Sequence, residues 1–286
     1  MASLKEIKSR IQSVKSTQKI TSAMKMVSSV KLRKAQKTIE NFFPYEQRLN
    51  GLLRNFLSSE ADSTSAFSEI REVKRVAIVV FSSNSSLCGG FNSNVAKRLT
   101  QTINAYQSLG REHILIFPVG KKVAKASLKL GFEPYSNYEA MADKPSYAAA
   151  VSLADDLMQL YQNKDIDKVE LIYHHFKSKS SQVLTSETFL PIQLSKPAKG
   201  TIALDYLVEP DRQTIIEELI PKVLRLKIYT ALLDSNASEY AARTMAMQIA
   251  TDNADDILQD LSLLYNKSRQ QAITNELLDI LGGSFK

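Results

Sequence analysis

Residues 222–281 read KVLRLKIYTALLDSNASEYAARTMAMQIATDNADDILQDLSLLYNKSRQQAITNELLDIL, 60 residues with neither glycine nor proline. Those two residue types are the strongest helix punctuators, so their absence over such a length predicts one very long helix. From Leu219 an alternating 4,3 spacing runs through Val223, Leu226, Thr230, Leu233, Ala237, Tyr240, Thr244, Met247, Thr251, Ala254, Leu258, Leu261 and Tyr265, with no charged residue in the seam. A seam sustained over fourteen core positions is the signature of a coiled coil. Asp211 after Pro210 is the expected N-cap, Pro221 is expected to kink or restart the helix, and Gly282-Gly283 supply the stop.

The opposite end of the chain repeats the omission. Residues 1–43 also lack glycine and proline, and all eight prolines fall between Pro44 and Pro221. Ser3 and Glu6 have the spacing of a capping box, which starts a helix at the very beginning. Its apolar stripe slips twice: Leu4, Ile7, Ile11 and Val14 form one set, Ile20, Met24 and Val27 a second, and Leu32, Ala35 and Ile39 a third.

Charge says what these helices pair with. The net charge of +7 is concentrated in residues 1–40, which hold ten basic and two acidic groups, whereas residues 211–281 hold seven basic and eleven acidic ones. The two helices are therefore electrostatically complementary, and a compact region between them makes the pair antiparallel. At about 1.5 Å per residue the second outruns the first, leaving Ala272, Ile273, Leu277, Leu278, Ile280 and Leu281 without an internal partner. Apolar surface of that kind calls for an external socket.

The middle reads as α/β. Residues 73–81 form a nearly continuous apolar run of the kind expected for a buried parallel strand, and further strands are expected at 113–119, 168–176 and, as an antiparallel edge, 182–191. Helices are expected to about Leu109, at 121–130 and at about 146–161. Strands alternating with helices predict a Rossmann-like domain with a mostly parallel sheet. The expected domains are 1–57 and 211–286 as the coiled coil and 70–205 as the central α/β domain.

Catalytic signals are weak throughout. Gly89-Gly90 lacks the third glycine of a dinucleotide fingerprint, and Gly120-Lys121 lacks both the upstream glycine and the hydroxyl residue of a P-loop. His174 and His175 are neighbours on a strand and point to opposite faces, a poor arrangement for one metal. The single cysteine, Cys88, excludes an intramolecular disulfide and has the default role of a small packed hydrophobe. No active site, metal site or cofactor site emerges. Two other function classes stay open at this point: a basic coiled coil that binds nucleic acid, against which stands the absence of any aromatic in residues 1–40, and a nucleotide-using α/β enzyme.

Three sets of strings carry a resemblance. Thr17-Gln18-Lys19-Ile20-Thr21-Ser22-Ala23-Met24-Lys25-Met26-Val27 with Lys31-Leu32-Arg33-Lys34-Ala35-Gln36, then Leu87-Cys88-Gly89-Gly90-Phe91-Asn92, then Ala241-Ala242-Arg243-Thr244-Met245-Ala246-Met247, Ala250-Thr251-Asp252-Asn253-Ala254 and Tyr265-Asn266-Lys267-Ser268-Arg269-Gln270 with Ala272-Ile273-Thr274 are similar to the signatures of the ATP synthase gamma-subunit family. Asn84-Ser85-Ser86 departs from the Asp-Arg-Gly common there. The resemblance implies a non-catalytic rotor shaft that couples proton flow to ATP synthesis. The partners it implies are a hexamer of alpha and beta subunits, the epsilon subunit and the c-ring, on the cytoplasmic side of a bacterial plasma (inner) membrane with no direct membrane insertion. It implies rotor–stator contacts at Met24, Lys25, Met26 and Arg243 and, nearer the unpaired tip, at Gln270, Thr274 and Glu276.

Overall fold

The computed structural model describes residues 3–58, 66–192, 209 and 211–283. In chain order the elements are α1 (Leu4–Ser58), β1 (Val76–Phe81), α2 (Phe91–Ala105), β2 (Ile114–Val119), α3 (Lys121–Lys129), α4 (Glu139–Asp143), α5 (Tyr147–Gln162), β3 (Lys168–Ser178), β4 (Ser181–Leu190) and α6 (Arg212–Gly283). They form two compact units, Val30–Ala242 and Met1–Ser29 with Arg243–Lys286.

The larger unit is built on a four-stranded sheet of order β2-β1-β3-β4, parallel except for the β3–β4 hairpin. Every residue of β1 is buried, as its unbroken apolar run requires of a central strand. Side-chain alternation divides the sheet into two cores. Ala77, Val79 and Phe81 join Phe117, Val119, Leu171 and Tyr173 on one face, under Ala150, Leu153, Leu157 and Tyr161 of α5. Val76, Ile78 and Val80 join Ile116 and Ile172 on the other, under Val95, Leu99 and Ile103 of α2 and Val123 of α3. Ser146 caps α5 by accepting a hydrogen bond from the Ala149 amide.

Within this unit α6 has two working faces. Leu32 and Ala35 of α1 pack against Ala237 and Ala241, and Phe42 meets Tyr229 edge-on at 5.1 Å, so the two helices run antiparallel on the face with the 4,3 seam. A second stripe, Ile216, Ile220, Leu224, Ile228, Ala231 and Leu232, seals the same sheet face as α5. Every residue from Ala231 to Glu239 is consequently buried, and two of the polar ones reach backbone carbonyls. Asn236 Nδ2 donates to the Ala142 carbonyl (3.0 Å) and Ser238 Oγ to the His174 carbonyl (3.1 Å). Ion pairs from Arg225 to Asp155 (2.7 Å) and from Lys227 to Glu187 (2.9 Å) tie the helix to α5 and β4.

The smaller unit is an antiparallel helix pair. Gln18 hydrogen-bonds Asp255, and the Thr21 and Thr251 hydroxyls meet 2.9 Å apart in a buried contact. Ile7, Ser28, Thr244, Met247, Ala254 and Leu261 complete the seam. The capping box forms as expected: the Ser3 amide donates to Glu6 Oε2 (2.8 Å) and the Glu6 amide to Ser3 Oγ (3.2 Å). Beyond Leu261 none of the described side chains is fully buried.

Several expectations need correction. Pro221 does not restart α6; the helix begins at Arg212, with Asp211 Oδ1 accepting from the Thr214 amide (2.8 Å), and continues through the proline. A proline inside a helix costs about 3 kcal/mol. Burial of Ile220 and Leu224 on either side offsets it, at about 1.5–3 kcal/mol per aliphatic side chain. Ile20 and Val27 belong to no buried stripe; they are 60% and 57% exposed, because the stripe slips carry them off the seam. The helix expected to reach Leu109 ends at Ala105 and gives way to two 3-10 turns, and α4 was not expected at all.

Candidate functional site

The C-terminal ends of β1 and β2, where an α/β sheet usually holds its ligand, are closed by the chain itself. Ser82 continues the β1–β2 ladder by donating its amide to the Val119 carbonyl (2.8 Å). All three leading amides of α3 are then occupied: Lys121 N–H donates to Asn84 Oδ1 (2.8 Å), Lys122 N–H to the Ser83 carbonyl (3.2 Å) and Val123 N–H to Ser82 Oγ (3.0 Å). A phosphate there would have to displace three protein acceptors. Asn84 also donates to the Glu139 carbonyl (2.9 Å) and Asp143 Oδ2 (2.7 Å), so the residue that departs from the family string binds α3 to α4. Cys88 is buried, with Asn92 Nδ2 3.1 Å from its sulfur.

The histidines point to opposite faces, as neighbours on a strand must. His175 Nδ1 stands 2.5 Å from Oδ2 of the buried Asp234, whose carboxyl is pushed up by burial and drawn back down by that hydrogen bond. His174 is only 3% exposed, stacks on Phe91 at 4.4 Å and has no hydrogen-bond partner at Nδ1. Burial lowers its pKa from 6.5 to about 4.

This depressed pKa gives the fold an acid limb. The unfolded chain takes up the proton below about 6.5 and the folded chain only below about 4, so the stability due to neutral His174 is complete above the first value and lost as pH falls toward the second. A shift of that size corresponds to about 3 kcal/mol at most. His174→Phe, which keeps the stack on Phe91, should flatten the decline in urea-unfolding free energy between pH 6.5 and 4.5. An unchanged decline in the variant would show that another group carries it.

The residues singled out for partner contact fall in the smaller unit, in two places. Met26 is 61% exposed, Met24 and Lys25 are half-buried beside it, and Arg243, at 7% exposed, is largely enclosed. Gln270, Thr274 and Glu276 are all exposed, and Thr274 Oγ1 donates to the Gln270 carbonyl one turn back (2.9 Å). With Thr21 opposite Thr251, the first group sits near residues 243–248 of α6. The second lies roughly 35 Å farther along that helix at about 1.5 Å per residue.

Sequence reading missed most of the surface between them. Ile20, Val27, Ile249, Ile257, Leu263 and Leu264 are exposed, in addition to the tip from Ile273 to Leu281. The signal was present in the stripe slips: an apolar residue off the seam of a two-helix pair must face outward. Among the described residues no group of three His, Cys, Asp or Glu side chains is placed to hold a metal, and no helix is long and apolar enough to cross a membrane.

Comparison with known proteins gives this geometry its context. The ATP synthase family model matches residues 3–285. The chain is 62% identical over 288 residues to the ATP synthase gamma chain of Phocaeicola vulgatus, covering 99% of each, and 58% identical over 298 residues to that of Bacteroides thetaiotaomicron, covering 100% of each. Its fold is similar to a chain in the Euglena gracilis mitochondrial ATP synthase (OSCP/F1/c-ring, rotational state 3), with TM-score 0.65 and 22% identity over 98% of this chain and 92% of the other. With such identity along the full length of both sequences, and an α/β sheet bracketed by two long helices, the chain belongs to the ATP synthase gamma-chain family.

Proposed function

We propose that the chain is the central rotor shaft of a bacterial F-type ATP synthase, a non-catalytic subunit that couples proton flow through the membrane ring to ATP synthesis at the beta subunits. The observation that carries this reading is the smaller unit: a two-helix pair that admits Thr21, Ser28, Thr244 and Thr251 to its buried seam while turning Ile20, Met26, Val27, Ile249, Ile257 and the 273–281 tip outward. A helix pair designed for water would do the reverse. One designed to sit inside a surrounding ring of subunits needs apolar surface on all sides.

In this reading residues 1–57 and 211–286 form the shaft, and residues 70–205 form the body that engages the c-ring and epsilon; of these ranges, 1–2, 193–205 and 284–286 lie outside the described residues. The lysine-rich face of α1 suits an acidic surface on the beta subunits, with Met24, Lys25, Met26 and Arg243 at one level of the alpha–beta hexamer and Gln270, Thr274 and Glu276 at another. The shaft performs no bond chemistry. It differs in contact from one beta subunit to the next, and the difference in contact free energy shifts each site in turn among its binding states. The chain then sits peripherally, on the cytoplasmic side of the inner membrane.

Native purification tests the assignment: the chain should travel in one large assembly with alpha and beta subunits, and its recovery alone or with nucleic acid would contradict it. The helix pair adds a sharper expectation. Because the Thr21 and Thr251 hydroxyls are 2.9 Å apart, Thr21→Cys with Thr251→Cys should close a disulfide within the shaft. A shaft that turns as one body should retain ATP-driven proton pumping within about twofold after oxidation, since the cross-link joins parts that do not move past each other. Loss of pumping restored by reductant would mean that the helices slide.

A further inference from the structure

At the end of the sheet opposite the closed turn, the segments leading into β1, β2 and β3 enclose a cleft of about 470 Å3. Its lining is cationic: Arg71, Lys74, Arg75 and Lys164 with His113, against the carboxylates of Glu72 and Asp167. None of the contact residues named for the rotor reading lines this cleft.

One of the two acids is already committed to the backbone. Asp167 Oδ2 accepts from the Lys74 amide (2.9 Å) and the Arg75 amide (3.0 Å), while the Asp167 amide returns a bond to the Arg75 carbonyl (2.9 Å). The carboxylate therefore staples the entry to β1 onto the entry to β3. Among the described residues none of the four cations has a carboxylate within ion-pair distance.

The cations are positioned by other means. Arg71 Nη2 donates to the Tyr161 carbonyl (2.9 Å), and its guanidinium lies 4.3 Å from the Tyr161 ring centroid, leaving a buried Nε–H without a partner. Arg75 Nε makes a long hydrogen bond to His113 Nδ1 (3.4 Å). A guanidinium only donates, so that nitrogen is the acceptor and the remaining imidazole N–H, on Nε2, is left as a further donor. Lys164 closes the turn after α5 through its amide to the Tyr161 carbonyl (3.2 Å) at φ +63°, a left-handed conformation that glycine or asparagine adopts with less strain.

The cleft thus has four cations against two carboxylates, a surplus of two positive charges, and it offers guanidinium, ammonium and imidazole donors but few acceptors. A phosphomonoester matches it: near neutral pH the group carries close to two negative charges and only accepts, through three oxygens. Guanidinium and ammonium groups are the side chains that bind it most strongly. The volume exceeds that of phosphate alone and leaves space for the group the phosphate is attached to. We propose that this cleft binds a phosphomonoester dianion, carried either by a small soluble molecule or by a lipid headgroup.

The test uses the full-length chain at low salt, with glycerol 3-phosphate as soluble probe and vesicles of phosphatidylcholine with and without phosphatidic acid as membrane probe. Glycerol 3-phosphate should bind saturably and shift the backbone amide resonances of Lys74, Arg75 and Lys164. Lys74→Gln/Arg75→Gln/Lys164→Gln, all at exposed positions, should weaken binding at least about tenfold, and the charge-matched Lys97→Gln/Lys125→Gln/Lys129→Gln on α2 and α3 less than about twofold. Binding that extends to phosphatidic acid vesicles identifies the lipid as the source, and binding of the soluble ester alone identifies the small molecule. Equal weakening in the two triple variants, or titration without amide shifts at the cleft of the wild-type chain, would overturn the proposal. Either failure leaves the rotor reading untouched, because none of the rotor–stator contact residues lies in the cleft.

Discussion

Lys25→Glu should reduce ATP-driven proton pumping by the assembled complex by on the order of tenfold to a hundredfold, with ATP hydrolysis continuing and the chain still present at normal stoichiometry. Lys25 is half-buried on α1 and has no ion-pair partner among the described residues, so its ammonium is available to a neighbouring subunit. Lysine and glutamate have nearly equal helix propensity, and the buried contacts between Thr21 and Thr251 and at Met247 do not involve the side chain. Folding is therefore spared. In the proposed assembly Lys25 faces an acidic surface, where reversing its charge would replace an attraction with a repulsion, worth about 1.4–3 kcal/mol at a partly desolvated contact, each 1.4 kcal/mol being a factor of ten. Lys25→Arg should stay near wild type. The ratio of proton pumping to ATP hydrolysis in membrane vesicles checks the expectation, and a wild-type ratio in Lys25→Glu would remove this residue from the coupling path.

Gly120→Ala is expected to destabilise the α/β unit by about 3–5 kcal/mol, a loss large enough to lower Tm by about 10 °C or more or to leave the chain insoluble. Two independent effects add. Gly120 has φ +110° and ψ 146°, a backbone region essentially reserved for glycine. A β-carbon there would also stand 2.4 Å from the Ser82 carbonyl oxygen and 2.7 Å from Ser82 Oγ. Ser82 cannot retreat without cost, because its amide is bonded to the Val119 carbonyl and its hydroxyl holds the Val123 amide at the start of α3. Thermal unfolding monitored by circular dichroism reads the outcome, and a Tm within about 2 °C of wild type would mean that this turn relaxes freely.

The parts of the fold that were legible in the sequence are those set by local chemistry. The capping box at Ser3 and Glu6 needs only two residues three apart, and it forms. The 4,3 seam of α6 reports a face shielded from solvent, and each of its fourteen positions is buried or half-buried. β1 was recognisable because a strand covered on both faces cannot alternate.

What escaped was decided by tertiary partners. The second apolar stripe of α6, from Ile216 to Leu232, overlaps the seam so closely that a periodic reading sees a single broad face, whereas the helix packs on α1 and on the sheet at once. α4 is only five residues long and carries no periodic signal. Asn84 looks like any turn residue, yet its amide side chain serves three partners drawn from α3 and α4. Among the candidate contact residues, sequence strings mark Met24, Lys25, Met26 and Arg243 alike, although burial separates Arg243 from the exposed Met26. Which side of a helix pair a residue faces depends on where the stripe slips relative to the partner, and that is a property of two helices together.

As a rotor this chain turns within the alpha and beta subunits, and direct observation of rotation tests that. With the alpha and beta subunits fixed to a surface and a probe attached to the exposed Lys97 position on α2, replaced by cysteine in a chain whose Cys88 is changed to alanine, ATP should drive the probe around in one direction, in steps that follow the number of beta sites. ATP hydrolysis at a normal rate with a stationary probe would contradict the account.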